Sequence, residues 1–380
     1  MKFIKTDRLA LKFIGNSFGN ACEFSLQPNS SNYILHAELI VVSDSPLHMN
    51  IEIQAYHQTH ILPPTDEQYH KHSSSYVRTI NVTSFVPYNG PTTFAVDFPN
   101  HSDEYKSKRN PIWGLIIIYG DPNFPVRHIS LFINEQANFF TFSPLLLPSV
   151  GPNHGTLYLF GEMRQMLSSI PCINFGPSIE QATSIYPIIS MMNKTNNLSH
   201  SVFNEKIDIS STLLSEQRSA ILHLPSKQIE SINFFAVGLQ VNAPAPKMTI
   251  VHSADKEHTF VGDIVTYTTI IINDGTTTAE CIQFRTGFPS GTVLISDSVT
   301  VNTMPVAVNP SEGLLLGNLS INDKITIVYK IKVAYKPSQN FILQQPVLDY
   351  QFTPIENTIR VGNQPSNIST VYINSQNNDE

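Results

Sequence analysis

The stretch Val261-Gly262-Asp263-Ile264-Val265-Thr266-Tyr267-Thr268-Thr269-Ile270-Ile271-Ile272-Asn273-Asp274-Gly275 decides how this chain folds. Val261 to Asp263 reads as a turn. The run after it alternates, with Val265, Tyr267 and Thr269 on one face, and Asn273 to Gly275 closes it with a second turn. Upstream, Met248 to Val251 alternate in the same way. Downstream come a Phe288-Pro289-Ser290-Gly291 turn, a strand near Val293 to Val301, the stretch Gly313 to Leu319, and strands at Ile325 to Val333 and Ser369 to Ile373. About seven short strands with turns at such spacing predict an immunoglobulin-like β-sandwich over residues 247–373.

The first two thirds of the chain also read as β throughout. Strands are predicted at Tyr33 to Val42, Met49 to Tyr56, Tyr76 to Ile80, Thr92 to Val96, Trp113 to Tyr119, Arg127 to Ile133, Thr156 to Gly161 and Ile232 to Val241. "GLIIIY" from Gly114 is nearly continuous and apolar, the mark of a strand buried on both faces, whereas "RHISLFIN" from Arg127 alternates more and predicts one wetter face. Asp121-Pro122-Asn123 between them predicts a hairpin-like turn. One short helix is expected at Ser211 to Gln217. The economical fold for residues 1–243 is a large antiparallel β-sandwich of jelly-roll type, so the whole chain is all-β. Ala243-Pro244-Ala245-Pro246 favours extended backbone, which makes residues 244–246 a short stiff connector, and residues 374–380 form a polar tail.

Composition narrows the function. The chain has 380 residues, charged residues make up only 14%, and 23 Lys plus Arg against 30 Asp plus Glu leave a net charge of -7. Such a chain lacks the basic stripe that holds a phosphate backbone, so nucleic acid is not an expected partner. No apolar run approaches the length of a membrane span, and no signal peptide or wall-sorting signal is recognised. Cys22, Cys172 and Cys281 are odd in number and far apart, which predicts small buried side chains and not a disulfide framework.

The run "VGDIVTYTTIIINDGTTTAECIQFRTGFPSGTVLISDSVTVN" from Val261, then "GLLLGNLSINDKITIVYKIKV" from Gly313 and "PSNISTVYI" from Pro365, resembles the conserved repeat domain of bacterial surface proteins, domain of unknown function eleven. The resemblance implies an extracellular stalk or spacer module with no chemistry on a small substrate. Surface modules of this general kind can carry an internal isopeptide cross-link made from a Lys, an Asn and a buried acid. His252 stands where the family has Lys and Thr286 where it has Asp, so no cross-link to Asn367 is expected. "YVRTINVTSFV" from Tyr76, "WGLIIIYGDPNFPVRHISLFI" from Trp113 and "IDISSTLLSEQRSAILHLPSKQIESINFFAVGLQV" from Ile207 resemble the leading β domain that precedes such repeats in surface proteins of Bacillus-like bacteria.

Candidate chemistry is sparse, and no catalytic or cofactor-binding set is read. His57, His60, His70 and His72 form a His-x-x-His pair, nine residues, then a His-x-His pair, a spacing that admits a transition metal or simply solvated loop histidines. His36 and Glu38 alternate on one strand face. Asp103, Glu104 and Glu135 could be brought together for glycoside cleavage or remain surface carboxylates. Trp113 with Tyr119 and Phe124 could offer a sugar platform or a core anchor, and Tyr267, Tyr329 and Tyr335 are assigned to packing.

The expected function is a non-catalytic structural or adhesive protein of a bacterial cell or spore surface. A spore layer, assembled from inside the mother cell, reconciles a surface role with the unrecognised export signal. The alternatives are an adhesin for carbohydrate or a host protein and a glycan-active enzyme with a spacer domain. Expected partners are other surface or spore-layer proteins, the chain itself in self-assembly, or carbohydrate. The strand-like ends, Lys5 to Phe13 and Ser369 to Ile373, are the segments expected to dock by strand addition, with Cys22 as a covalent lock.

Overall fold

A computed structural model of the chain describes residues 3–26, 33–44, 50–55, 58–63, 69–72, 75–86, 91–97, 111–133, 137, 139–163, 172–185, 201–225 and 232–374. Among these the architecture is all-β, with only two single-turn 3-10 helices, at Thr83–Phe85 and Ser210–Thr212. The chain divides into two compact units, Met1–Ala243 and Pro244–Glu380.

The first unit begins with β1 (Phe3–Asp7), β2 (Leu9–Ser17), β3 (Cys22–Ser25), β4 (Tyr33–Ser43), β5 (Ile51–Ala55), β6 (Gln58–Leu62), β7 (Tyr69–His72), β8 (Ser75–Asn81), β9 (Pro91–Asp97) and β10 (Ile112–Gly120). One sheet runs β2-β10-β4-β8 and is extended by β7, and the sheet opposite it runs β3-β9-β5-β6. It continues with β11 (Arg127–Ile133), β12 (Phe139–Phe142), β13 (Gly155–Met163), β14 (Ile173–Gly176), β15 (Thr183–Ile185), β16 (Ser201–Asp208), β17 (Ala220–His223) and β18 (Ile232–Asn242). These strands give β11-β18-β13-β16, extended by β1 beside β11, and β12-β17-β14-β15. The two paths are identical: first strand beside last, then third, then sixth in one sheet, and second, seventh, fourth, fifth in the other. The jelly-roll character expected of residues 1–243 is therefore present twice, as two tandem eight-stranded rolls.

Three cores follow from this arrangement. Ala37, Leu39, Ile53, Phe94, Trp113 and Leu115 fill the first roll, and Phe142, Leu157, Phe175, Phe203 and Leu239 fill the second. Leu9, Leu11, Phe13, Ile116, Ile118, Leu131, Phe160 and Phe235 form the third, between β2-β10-β4-β8 and β11-β18-β13-β16. Both middle sheets are buried on both faces, which is why β10 is apolar at successive positions and not only at alternate ones.

The free edge of β2 shows how the rolls cross. Arg127 Nη1 on β11 donates to Leu9 O at 3.0 Å, Leu11 N donates to Gln240 Oε1 on β18 at 2.8 Å, and Asn204 Nδ2 on β16 donates to Phe13 O at 3.2 Å. At about 3.4 Å per residue, Leu9 to Phe13 covers roughly 14 Å, which matches three strand spacings of about 4.8 Å from β11 to β16. β2 thus runs across the second roll's sheet near a right angle, an orthogonal packing. Polar side chains occupy the backbone groups that a neighbouring strand would otherwise take.

Several expectations change on this frame. The Asp121-Pro122-Asn123 turn does not make a hairpin: β10 pairs with β2 and β4, while β11 pairs with β1 and β18, so the turn passes the chain from one roll to the next. "RHISLFI" has no wet face beyond Arg127, because the first roll covers one side and the second roll's core the other. The expected helix at Ser211 to Gln217 is only the 3-10 turn Ser210–Thr212. Gln217 accepts from Leu214 N at 3.0 Å and donates to Ser219 O at 2.7 Å, satisfying a segment too short to nucleate a helix.

The second unit comprises β19 (Met248–Ala254), β20 (His258–Thr259), β21 (Ile264–Asn273), β22 (Ala279–Arg285), β23 (Thr292–Leu294), β24 (Thr300–Val301), β25 (Met304–Pro305), β26 (Leu314–Leu319), β27 (Lys324–Val333), β28 (Phe341–Gln344), β29 (Val347–Ile355), β30 (Thr358–Pro365) and β31 (Ser369–Ile373). β19-β21-β27-β24-β25, with β23 also on β27, makes one sheet; β20-β31-β28 and β26-β22-β29-β30 make the others. β21 buries Val265, Tyr267, Thr269, Ile271 and Asn273 in strict alternation, and β27 buries Ile325, Ile327, Tyr329, Ile331 and Val333. This is an immunoglobulin-like sandwich, with the buried faces of β21 and β27 in its core. The strand expected at Val293 to Val301 is split in two, because Asp297 turns at a φ of 56° and Ser298 Oγ bonds back to Ile295 O at 2.7 Å.

The ends are placed differently from the docking expectation. β31 is paired on both sides, with β20 and β28, and Leu9 to Phe13 is flanked by β10 and the capping side chains. β1 pairs with β11 and is the outer strand of its sheet.

Candidate functional site

The histidines of the metal expectation fall on different elements. His60 lies on β6 in the outer sheet of the first roll and stacks on Phe85 at 4.3 Å. His70 and His72 lie two apart on β7, opposite Val77 and Ser75 in the other sheet, and His57 falls outside the described residues. Asp103, Glu104 and Glu135 also fall outside them. Among the described residues no group of three His, Cys, Asp or Glu side chains could hold a metal ion.

The remaining candidates mostly serve packing. His36 Nε2 sits 3.1 Å from Glu38 Oε2, and its ring stacks on Phe3 at 6.0 Å. Trp113 is fully buried against Phe94 at 5.5 Å, so it is a core anchor and offers no face to a sugar. Tyr335 is exposed, contrary to its assignment, and its hydroxyl meets Ser290 Oγ at 3.0 Å. The cysteines are not uniformly buried: Cys22 and Cys172 are half-buried and Cys281 is exposed. Cys22 Sγ reaches Gly15 O at 3.3 Å, and burial pushes its thiol up.

In the second unit a polar column lies inside the core. The His252 ring stacks on Tyr267 at 5.1 Å, and Tyr267 stacks on Tyr329 at 5.6 Å. His252 Nδ1 meets Thr269 Oγ1 at 2.8 Å, while His252 Nε2 and the Tyr267 hydroxyl are buried without a hydrogen-bond partner among the described residues. Tyr329 donates to Gln344 Oε1, which Thr286 Oγ1 also reaches at 3.3 Å. Burial alone holds His252 at about 4, and burial pushes both tyrosines well above their ordinary value. Asn367 does not face this column; its carboxamide is held by the backbone of His252.

In the first unit, sheet β11-β18-β13-β16 extends past the edge of β2 and presents a polar shelf. A cleft of about 390 Å³ runs beside β2, lined by Lys12, Tyr119, Arg127, Tyr158, Asn204, Lys206 and Gln240, with apolar Leu11, Phe13 and Phe124 at its back. A second hollow of about 430 Å³ adjoins it, sharing Arg127, Lys206 and Gln240 and adding His154, Thr156, Asp208 and Asn242. The Arg127 guanidinium covers the Phe124 ring at 5.1 Å. Burial lowers Arg127, and burial with the Lys206 ammonium nearby lowers Lys12. Burial pushes the Tyr158 hydroxyl up to about 12, so it stays a neutral donor. Of these residues only Tyr119 and Phe124 carry a functional expectation from sequence, as a sugar platform with Trp113; the polar ones carry none. Their signal is the alternation Asn204, Lys206, Asp208 on β16 and a lone Gln240 in an apolar strand; only the crossing of the rolls brings them together.

No protein-family model matches this sequence, and no curated protein matches it. Among solved structures, the full-length major pilin SpaD from Corynebacterium diphtheriae is similar over 58% of this chain and 61% of its own, at 9% identity and a TM-score of 0.28. The CARDB domain of a Pyrococcus furiosus protein, in complex with di-metal ions, is similar over 34% of this chain and 88% of its own, at 13% identity and a TM-score of 0.20. The collagen binding subdomain of the Enterococcus faecalis surface protein ACE is similar over 34% of this chain and 97% of its own, at 16% identity and a TM-score of 0.20. At such scores these likenesses say nothing about function. Among the described residues no helix is long and apolar enough to cross a membrane.

Proposed function

We propose that this chain is a non-catalytic structural or adhesive protein of a bacterial surface, with a spore layer as its finer assignment. The observation that carries this reading is what the polar side chains at its strand edges and in its second core do. Arg127, Gln240 and Asn204 cap a strand edge, Asn367 caps another, and the His252 column fills a core. Each fastens strands together, which serves a structural module and not a catalytic cluster. The resemblance of residues 261–373 to surface-protein repeats points the same way. An adhesive role is favoured over a purely structural one by the shelf on the second roll, whose polar groups face outward. Fractionation of sporulating and vegetative cells tests the assignment: the chain should be extracted with the outer spore layers or the cell envelope. Recovery only in the soluble interior of both cell types would sink it.

A further inference from the structure

We propose that the shelf beside β2 binds an acidic saccharide, its carboxylate held by Arg127 and Lys206 and its hydroxyls by Gln240 and Asn204. The proposal deepens the adhesive reading and relies on it only for the expectation that a glycan is met. Each amide has one end committed to β2 and the other without a protein partner among the described residues. Gln240 accepts from Leu11 N through Oε1, leaving Nε2 to donate, and Asn204 donates to Phe13 O through Nδ2, leaving Oδ1 to accept. A donor on β18 and an acceptor on β16, separated by the single strand β13 in one sheet, suit the hydroxyls of a sugar, each of which both donates and accepts.

The charge chooses the kind of sugar. Among the described residues lining the cleft beside β2 none is acidic, while Lys12, Arg127 and Lys206 all carry positive charge. Arg127 has used one of its five donors, on Leu9 O, and a guanidinium is suited to a two-pronged grip on a carboxylate. Burial and, after it, the Lys206 charge lower Lys12, whose Nζ donates to Ser25 O at 2.8 Å; an anion in the cleft would offset the like-charge part of that cost. Tyr158 adds a neutral hydroxyl donor at the floor. Asp208 lines the adjoining hollow and not this cleft; its Oδ1 accepts from Ser210 N and Oγ at 2.9 and 2.5 Å, and the Lys206 charge also helps to lower it. A simple oxyanion would leave the amides idle, and a neutral sugar would leave the cations unmatched.

Isothermal titration of the full chain at low salt with trigalacturonate, and with maltotriose as a neutral sugar of equal length, tests the site. Trigalacturonate should saturate one site, and Lys206→Glu, an exposed change that breaks no hydrogen bond among the described residues, should weaken it by about tenfold or more while the chain stays folded by Tm. Lys330→Glu, in the other unit, should leave the affinity as it was. The proposal is overturned by the absence of saturable binding, by maltotriose binding as tightly, or by equal weakening in the two variants, which would mean net charge only. If titration fails while the chain is still recovered from an envelope or spore layer, the site is wrong and the surface assignment stands.

Discussion

Asn367 grips both backbone groups of His252: its Oδ1 accepts the His252 N–H at 2.8 Å, and its Nδ2 donates to the His252 carbonyl at 2.8 Å. A carboxamide carries the same donor and acceptor as a peptide group, so one side chain stands in for a paired strand at the outer edge of β19. It protects that edge as the side-chain ladder on β2 does in the first unit.

Replacing Asn367 with Ala should destabilise the second unit by about 1–3 kcal/mol, two hydrogen bonds at their usual net worth. Asn367→Asp keeps the acceptor but sets a carboxylate oxygen against the His252 carbonyl, so it should cost at least as much. Denaturant unfolding measures the size, and amide exchange at His252 identifies the place. Unchanged exchange at His252 in the Ala variant would refute the capping role.

The same geometry predicts an uncross-linked chain. The imidazole of His252 is not a primary amine, Thr286 Oγ1 is engaged near Gln344, and the Asn367 carboxamide points to backbone. Intact-mass measurement should give the full sequence mass with no loss of ammonia or water.

Acid should weaken both units. His128 is buried between Thr6 Oγ1 at 2.9 Å and Ser130 Oγ at 2.8 Å, and burial holds both His128 and His252 at about 4 against an ordinary value of 6.5. The unfolded chain then binds protons that the folded chain refuses. Their contribution is fully present above about pH 6.5 and falls as pH drops toward 4, by roughly 3 kcal/mol for each histidine. Unfolding midpoints between pH 7.5 and 4.5 should fall, and His252→Gln should flatten the fall in the second unit alone. A midpoint independent of pH over that range contradicts burial as neutral imidazoles.

The sequence made the strands of the sheet centres legible because packing fixes their pattern. Arg127 to Ile133 was bounded to the residue, and the period of two in β21 located a sandwich core. What was not legible depends on contacts distant in sequence. The doubling of the jelly roll is a fact of strand order, and the second burial of β11 exists only because another roll lies on it. The hairpin of β29 and β30 has no clear local signal, since Pro354 and Pro365 interrupt the strand pattern and its turn rests on Asn357 at a φ of 60°. The shelf was hidden for the same reason as the duplication: no local pattern says which uncovered sheet face a polar residue will reach.

Two glycines on equivalent last strands set the approach of the rolls. A Cβ on Gly114 of β10 would lie 2.6 Å from the Phe160 ring, and one on Gly238 of β18 would lie 2.5 Å from Leu11. Both contacts are in the shared core, where neighbours have little room to yield, so Gly114→Ala and Gly238→Ala should each cost about 1–3 kcal/mol by overpacking. Because the rolls share that core, each substitution should lower one cooperative transition for residues 1–243 without splitting it. A variant in which one roll melts alone would show that the junction is not what joins them.

The boundary between the units should lie at Ala243, ahead of the prolines. Ala243 N donates to Val126 O at 3.0 Å within the first unit, whereas Ala245 N donates to Thr276 Oγ1 at 3.2 Å and Thr276 N to Ala245 O at 2.9 Å. Pro244 and Pro246 are buried, so the connector is fastened to the turn after β21 and is not a free spacer. Chains spanning 1–243 and 244–380 should therefore each fold, and their separate transitions should reproduce those of the whole. Moving the cut to 247 should destabilise the second piece, because it strips the partner from Thr276 and exposes the Asn273 to Gly275 turn. Calorimetry of the three pieces decides it: equal stability for the pieces starting at 244 and 247 would show that the prolines are only a linker.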